Sequence, residues 1–296
     1  MTAPETGEGG RLAPFVAPGW DLGRIVLEPA GRPLVMGIVN LTPDSFYADS
    51  RRRSTGAAVD HALDLVAQGA DLLDLGAEST RPGAEPVTAD QEQERLLPVV
   101  AALRQATDIP LTVDTIRAGT ARAALAAGAD AVNDISGGVF DPAMLPLVAE
   151  RECGLILMHM QGTPRTMQDA PSYFDVTAEV KGWLAARCGL AVEAGIAESR
   201  LMIDPGIGFG KNLDHNLTLL GNLAQVAGGR PLLLGASRKR FIANVTGAAV
   251  DDRLPGSLAA LTCAWQGGAA MVRVHDVAAT VQYLDILKAV AGQPCG

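Results

Sequence analysis

Eight short apolar runs punctuate the chain, and a longer amphipathic stretch separates most neighbouring pairs. The runs are LVMGIV (34–39), LLDL (72–75), PLTV (110–113), AVN (131–133), LILM (155–158), LMI (201–203), PLLL (231–234) and MVRV (271–274). Runs that stay apolar at successive positions suit strands buried on both faces, as in a parallel sheet covered by helices. The first intervening segment has helical spacing, with Val59, Leu63, Val66 and Ala70 on one predicted face.

A weaker internal repeat supports the same unit. Gly69, Gly128, Gly154 and Gly268 each stand before an apolar run, and five residues later come Asp74, Asn133, His159 and Arg273. This reads as a helix closed by a C-terminal glycine, a buried strand, and a polar side chain where the strand emerges. Eight such βα units in 296 residues predict an α/β fold, a single (β/α)8 TIM barrel, rather than an open doubly wound sheet. Residues 1–32, rich in Gly and Pro, are expected to form an N-terminal extension, and residues 33–296 the barrel.

Composition narrows the function. Hydrophobic residues make up 48% of the chain but aromatics only 4%, so the core must be built from Ala, Leu, Val and Ile. With 24 basic and 33 acidic residues the net charge is -9, which disfavours nucleic-acid binding through a broad basic field. An anionic ligand would need local positive charge. Cys153, Cys188, Cys263 and Cys295 are scattered, with no C-x-x-C pair for a zinc ribbon or dithiol motif. The N-terminus lacks the basic start and apolar run of a secretory signal, and no stretch approaches the roughly 20 apolar residues of a membrane span. The expectation is a cytoplasmic protein with no membrane partner.

Active sites of such barrels lie at the C-terminal ends of the strands. Those ends read Asn40, Asp74, Asp114, Asn133, His159, Asp204, Ser237 with Arg238 and Lys239, and Arg273 with His275. One Asp or Asn at a strand end commonly bonds only to loop backbone. A full ring of carboxylates, amides and cations around one axis needs a ligand, and a nitrogen-rich heterocycle with an attached anion would satisfy it. Arg273 and His275, two apart on a strand, share a face and suit phosphate or pyrophosphate. Asn40 offers an amide oxygen to Mg2+ when substrate phosphates supply most other ligands. Arg51, Arg52 and Arg53 read as a basic run in the loop after Asn40, either a solvated face or a device that steers anions. Gly206, Gly208 and Gly210 in DPGIGFGK allow backbone to approach a flat ligand, without being a nucleoside triphosphate loop. Lys239 reads as an anion or carbonyl donor, a Schiff-base nucleophile or a surface charge. His61 and His215 fall in predicted helices as surface or core residues.

These motifs together resemble the bacterial dihydropteroate synthase family. The matching segments are MGIVNLTPDSF (36–46), LLDLGAESTRPGA (72–84), VDTIRAG (113–119), VNDISGG (132–138), LMHMQGTPRTMQ (157–168), IDPGIGFGK (203–211), GASRKRF (235–241) and VRVHDV (272–277). The resemblance implies a transferase that joins 6-hydroxymethyl-7,8-dihydropterin pyrophosphate to p-aminobenzoate in folate biosynthesis, with Mg2+ as cofactor, sulfonamides as mimics of p-aminobenzoate, and a homodimeric assembly. It implies that Asp74, Asp114, Asn133, Met158, Asp204, Phe209, Gly235, Lys239 and Arg273 bind the pterin, and that Thr80, Arg81, Pro82 and Ser237 contact p-aminobenzoate. Asn40, Arg81, Arg273 and His275 would bind the pyrophosphate, Asn40 also the metal, and Asp114, Lys239, Arg273 and His275 would carry catalysis. Ala77 stands where the family commonly has Gly, SFYADSRRR where SFSDGG is usual, and the extension 1–32 is long. A non-catalytic pterin-binding relative, a pterin-dependent methyltransferase and a Schiff-base aldolase are the alternatives. Intact Asn40, Arg81, Arg273 and His275 weigh against the first, and the second has no need of the Arg273–His275 clamp or of the loop with Thr80, Arg81 and Pro82.

Overall fold

Each apolar run becomes a strand within one or two residues of its predicted ends, so the repeat seen in the sequence is the repeat of the fold. The structure, a computed structural model, describes residues 12–41, 51–78 and 87–292, with the side chains of 51–54 excepted. Strands β1 (Trp20–Asp21) and β2 (Val26–Leu27) form an antiparallel hairpin in the N-terminal extension. The barrel strands are β3 (Leu34–Asn40), β4 (Leu72–Gly76), β5 (Leu111–Asp114), β6 (Ala131–Asp134), β7 (Gly154–Met158), β8 (Leu201–Asp204), β9 (Leu233–Leu234) and β10 (Met271–Val274). The helices are α1 (Arg51–Ala67), α2 (Ala89–Ala106), α3 (Ala118–Ala127), α4 (Met144–Arg151), α5 (Val176–Glu193), α6 (Leu213–Gly221), α7 (Leu223–Ala227), α8 (Arg240–Thr246), α9 (Leu254–Gln266) and α10 (Val277–Val290).

The eight strands pair in parallel in the order β8-β7-β6-β5-β4-β3-β10-β9. A parallel bridge between Ile203 and Leu232, with the Ile203 N–H donating to the Pro231 carbonyl at 3.0 Å, joins the two ends and closes the barrel. No edge of the sheet is then left open.

Strand parity divides the core in two. Val35, Val39, Leu73, Leu75, Val113, Val132, Leu155, Leu157, Ile203, Val272 and Val274 face outward and pack under the helices. Met36, Leu72, Ala131, Ile156, Met202, Leu233 and Met271 fill the interior. The hairpin plugs that interior from the N-terminal end through Trp20, Leu22 and Leu27, and the Trp20 indole donates to the Arg200 carbonyl at 2.9 Å. Gly154 makes the plug possible: a Cβ there would lie 2.6 Å from Leu22 Cδ2 and 2.8 Å from the Trp20 ring.

Three local expectations are corrected. Gly154 is the first residue of β7 and caps no helix; α4 is closed instead by Glu152 in the left-handed conformation, whereas Gly128 caps α3 as expected. The most deeply buried stripe of α1 is Ala58, Ala62 and Leu65, one residue N-terminal to the predicted face, with Val59, Leu63 and Val66 packed beside it. Two alanines on α1, and Gly37 on β3, where a Cβ would lie 3.2 Å from Leu65 Cδ1, let the helix sit close to β3. Finally, Arg51, Arg52 and Arg53 open α1 rather than lying in a loop. No helix among the described residues is long and apolar enough to cross a membrane.

Candidate active site at the barrel mouth

The interior parity that places Leu72, Ala131, Ile156, Met202, Leu233 and Met271 inside the barrel also selects the side chains two positions further along each strand. Asp74, Asn133, Met158, Asp204, Gly235 and Arg273 sit on the same inward face, one layer nearer the C-terminal end. Thr112 and Asp114 continue the pattern on β5, opposite Asp74 and Asn133 in the strand register. Asn40 shares the parity of Met36 at the end of β3. The interior is therefore apolar below and polar above.

The polar layer is a connected network. Asp74 is fully buried and accepts from the Thr112 hydroxyl at 2.5 Å, the Asn133 amide at 3.1 Å and Arg273 Nε at 2.6 Å. Arg273 Nη2 also donates to Asp114 Oδ2 at 3.1 Å. Burial pushes the Asp114 carboxyl up to about 7; Arg273 opposes this and Asp74 adds to it. Across the mouth, burial raises Asp204 against the pull of Lys239 and of the Gly206 N–H, which donates to Asp204 Oδ1 at 2.7 Å. Burial lowers the Lys239 ammonium to about 8, while Asp204 supports its charge. Lys239 Nζ donates to the Ile207 carbonyl at 2.5 Å and stands 4.8 Å from the centre of the Phe209 ring.

The structure thus brings Asp74, Asp114, Asn133 and Arg273 together on one side, and Asp204, Phe209 and Lys239 on the other. Gly235 stands between the Lys239 amine and Asp204: a Cβ there would lie 3.6 Å from Nζ and 3.7 Å from Asp204 Oδ2. Met158 is buried beside Gly206. His275 comes directly after β10, and its Nδ1 lies 3.0 Å from the Ser237 hydroxyl, which links the ends of β10 and β9. Thr80, Arg81 and Pro82 lie outside the described residues, as does most of the loop after Asn40.

Two strand-end residues, Arg238 and His159, do not join the mouth network, and neither does the helical His215. Arg238, with φ +56, turns to a bidentate pair with Asp276 at 2.9 and 2.5 Å. His159 has the opposite parity to Met158 and meets Lys211 Nζ at 3.0 Å behind the 206–210 loop. His215 caps α6, its Nδ1 accepting from the Asn212 N–H at 3.3 Å. Sequence reasoning missed Lys211, a buried ammonium whose only sequence signal is its place directly after the glycine-spaced loop. It also missed Thr112, which strand parity alone would have found.

The comparisons with known proteins agree with this architecture. Residues 36–275 match the family described as pterin binding enzyme. A dihydropteroate synthase of Synechocystis is 42% identical over 94% of this chain and 97% of its own length. Among solved structures, Xanthomonas albilineans dihydropteroate synthase with 4-aminobenzoic acid superposes with a TM-score of 0.87, at 46% identity over 94% of this chain and 100% of that one. The same enzyme in complex with 7,8-dihydropteroate gives 0.83, at 43% identity over the same shares.

Proposed function

The chain belongs to the dihydropteroate synthases, within the pterin-binding enzyme family, and on that premise we propose how its barrel mouth divides the work of the condensation. The observation that carries the reading is the convergence of Asp114, Asp204, Lys239 and Arg273 on one buried layer at the C-terminal end of the barrel. As a transferase, the enzyme joins 6-hydroxymethyl-7,8-dihydropterin pyrophosphate to p-aminobenzoate and releases pyrophosphate and 7,8-dihydropteroate.

Asp204 accepts from the 2-amino and ring N–H groups of the pterin, and Lys239 donates to its ring acceptors. Asn133 and Asp114 close the opposite edge, with Met158, Phe209 and Gly235 against the ring faces. Asp74, whose carboxylate is already committed to Thr112, Asn133 and Arg273, acts on the pterin by orienting its neighbours. Thr80, Arg81, Pro82 and Ser237 take p-aminobenzoate.

The reaction is a substitution at the methylene carbon on the pterin. The carbon–oxygen bond to pyrophosphate breaks with its electron pair leaving on oxygen. The pterin ring delocalises the positive charge left behind, and ionised Asp114 stabilises it electrostatically. The amine of p-aminobenzoate, a weak nucleophile, then forms the carbon–nitrogen bond and loses its proton, so an ionising SN1-like path suits it better than a concerted one. The barrel contributes orientation and preorganised charge. Arg273 and His275 neutralise the departing anion, with Arg81 and Asn40 beside them.

Among the described residues no group of three or more His, Cys, Asp or Glu could cage a metal. A single amide oxygen from Asn40 fits Mg2+ of the kind held mainly by substrate phosphates and water. When bound it would supply charge neutralisation of the pyrophosphate. The assembly is proposed to be a homodimer and the location cytoplasmic. Incubation of the protein with the pterin pyrophosphate, p-aminobenzoate and Mg2+, assayed for 7,8-dihydropteroate, tests the activity; no product above a control lacking protein would reject it.

A further inference from the structure

The loop 205–211 has an unusual support. Each of five consecutive carbonyls accepts a hydrogen bond from a side chain. Ile207 accepts from Lys239 at 2.5 Å, Gly208 from Gln168 at 2.6 Å, Phe209 from Lys211 at 2.9 Å, Gly210 from Tyr173 at 2.8 Å and Lys211 from Asn216 at 3.3 Å. The Gly208 N–H donates to Asn216 Oδ1 at 2.7 Å. The loop also lies hard against the end of β7. At Gly206, with φ +67, a side chain would collide with the His159 carbonyl, and at Gly210, with φ +62, a Cβ would stand 2.5 Å from the Gln161 carbonyl.

Lys211 is the centre of this support. Its amine is buried, and among the described residues it touches only neutral acceptors: His159 Nδ1 at 3.0 Å, the Phe209 carbonyl at 2.9 Å and the His159 carbonyl at 3.4 Å. The His159 ring is fixed in turn, 5.1 Å edge-on to Trp183 and 6.0 Å from Tyr173. One amine therefore ties β7 to the loop that carries both the Ile207 carbonyl and the Phe209 ring. Those two groups are the ones that set the position of Lys239. Burial pushes the Lys211 amine down to about 7, with Asp204 supporting its charge without a direct contact. A buried amine with no carboxylate in contact among the described residues is costly to keep, which argues for a role in precision beyond simple burial.

We infer that Lys211 is a positioning residue for the pterin pocket, holding the Ile207–Phe209 stretch against His159 and so aiming the Lys239 amine at the bound ring. The inference rests on the reading of that pocket as the pterin site. Its accessory partner is His159, acting as an acceptor through Nδ1.

Calorimetry with 6-hydroxymethyl-7,8-dihydropterin tests it on the full chain. Lys211→Met is expected to weaken pterin binding by about 10- to 100-fold, the scale seen when an outer support of a binding group is removed. The KM for p-aminobenzoate should stay within about twofold, since its contacts are not shared with Lys211. His159→Asn keeps an acceptor near the Nδ1 position, and it should bind pterin within about threefold of the parent. His159→Leu removes that acceptor and should reproduce the Lys211→Met loss. Should Lys211→Met fail to fold, as judged by its thermal transition, the Asn and Leu pair decides. Unchanged pterin affinity in folded Lys211→Met, or equal affinity in the two His159 variants, overturns the inference. A parent protein that binds no pterin overturns instead the reading of the pocket.

Discussion

Arg273 Nε lies 2.6 Å from Asp74 Oδ2, a buried ion pair inside the barrel, and the same guanidinium reaches Asp114 at 3.1 Å. The cation proposed to receive the pyrophosphate is therefore already charge-balanced before any anion arrives. Its position is set by a carboxylate that cannot itself reach solvent. Pre-alignment of this kind lowers the ordering cost of binding an anion.

Asp74→Ala should be strongly destabilising. It strips Arg273 of its closer partner and leaves the Thr112 hydroxyl and the Asn133 amide without their acceptor. Breaking a buried pair from one side costs about 3–5 kcal/mol, and the partial exposure of Arg273 puts the expectation near the lower end, about 3 kcal/mol. Urea denaturation measures it. A loss under about 1 kcal/mol would mean that the pair behaves as a surface contact.

The pH profile should be bell-shaped with its optimum between the two shifted groups. Asp114 titrates near 7 and must be ionised to stabilise the positive methylene, so kcat/KM rises with pH through that value. Lys239 titrates near 8 and must be protonated to donate, so kcat/KM falls above it. Asp114→Asn should remove the acid limb and keep the alkaline one. The stability linkage has its own sign. An acid whose folded pKa is raised favours folding less as pH climbs from the unfolded carboxylate range, about 4, towards 7. The variant should therefore gain stability relative to the parent between pH 4 and pH 8. A pH-independent difference between the two melting curves would refute the shift.

Asp204→Ala should remove pterin binding without unfolding the barrel. A charged acceptor facing two buried donors is worth roughly 2–5 kcal/mol, or at least about 30-fold in affinity. Its removal also takes away the larger of the two carboxylate supports of Lys239, leaving Asp114, so the Lys239 ammonium should titrate lower still. Parent-like affinity for the pterin would reject the assignment.

The legibility of the site in the sequence is set by the physics of strand ends. Asp74, Asn133 and Arg273 are visible there because each is the third residue of an apolar run, five residues after a glycine, and parity then forces them inward together. His159 shares that spacing but not that parity, since Gly154 is itself the first residue of β7, whereas Gly69, Gly128 and Gly268 each lie three residues before their strands. Lys211 is hidden because its role depends on contact with a segment 52 residues away, which no local pattern encodes. The plug formed by Trp20, Leu22 and Leu27 is hidden for a different reason: two-residue strands are too short to show a period.

Arg117 should matter to one substrate and not the other. Its Nη1 donates to Glu78 at 2.6 Å and to buried Glu92 at 3.0 Å, and its Nη2 to the Val87 carbonyl at 2.8 Å. Glu78 and Val87 flank the stretch that holds Thr80, Arg81 and Pro82. Arg117→Met should raise the KM for p-aminobenzoate by about tenfold or more while pterin affinity is kept. It should also cost about 3 kcal/mol, because Glu92 is left in the interior with the Thr120 hydroxyl and an oxygen that has no partner among the described residues. Equal effects on both substrates would show a general loss of structure instead.

Binding of p-aminobenzoate should depend on pyrophosphate. Arg273, Asn40 and Arg81 belong to or come after β10, β3 and β4, three neighbouring strands in the sheet. An anion held by all three would lie between the two proposed sources of p-aminobenzoate contacts, Thr80–Pro82 after β4 and Ser237 after β9. Ser237 is already tied to His275, another proposed pyrophosphate ligand, at 3.0 Å. The anion would thus fix both sides of the amine site at once, a coupling of about 1–3 kcal/mol, or roughly 5- to 150-fold in affinity. Calorimetry of p-aminobenzoate with and without pyrophosphate and Mg2+ measures it directly. Arg273→Ala should abolish the coupling, since Asp74 and Asp114 then face the anion with no cation between them, while the Asp204 and Lys239 side of the pterin pocket keeps part of its affinity. Equal p-aminobenzoate affinity in the two conditions would mean that the amine site is complete without the anion, and the pyrophosphate would then act only as leaving group.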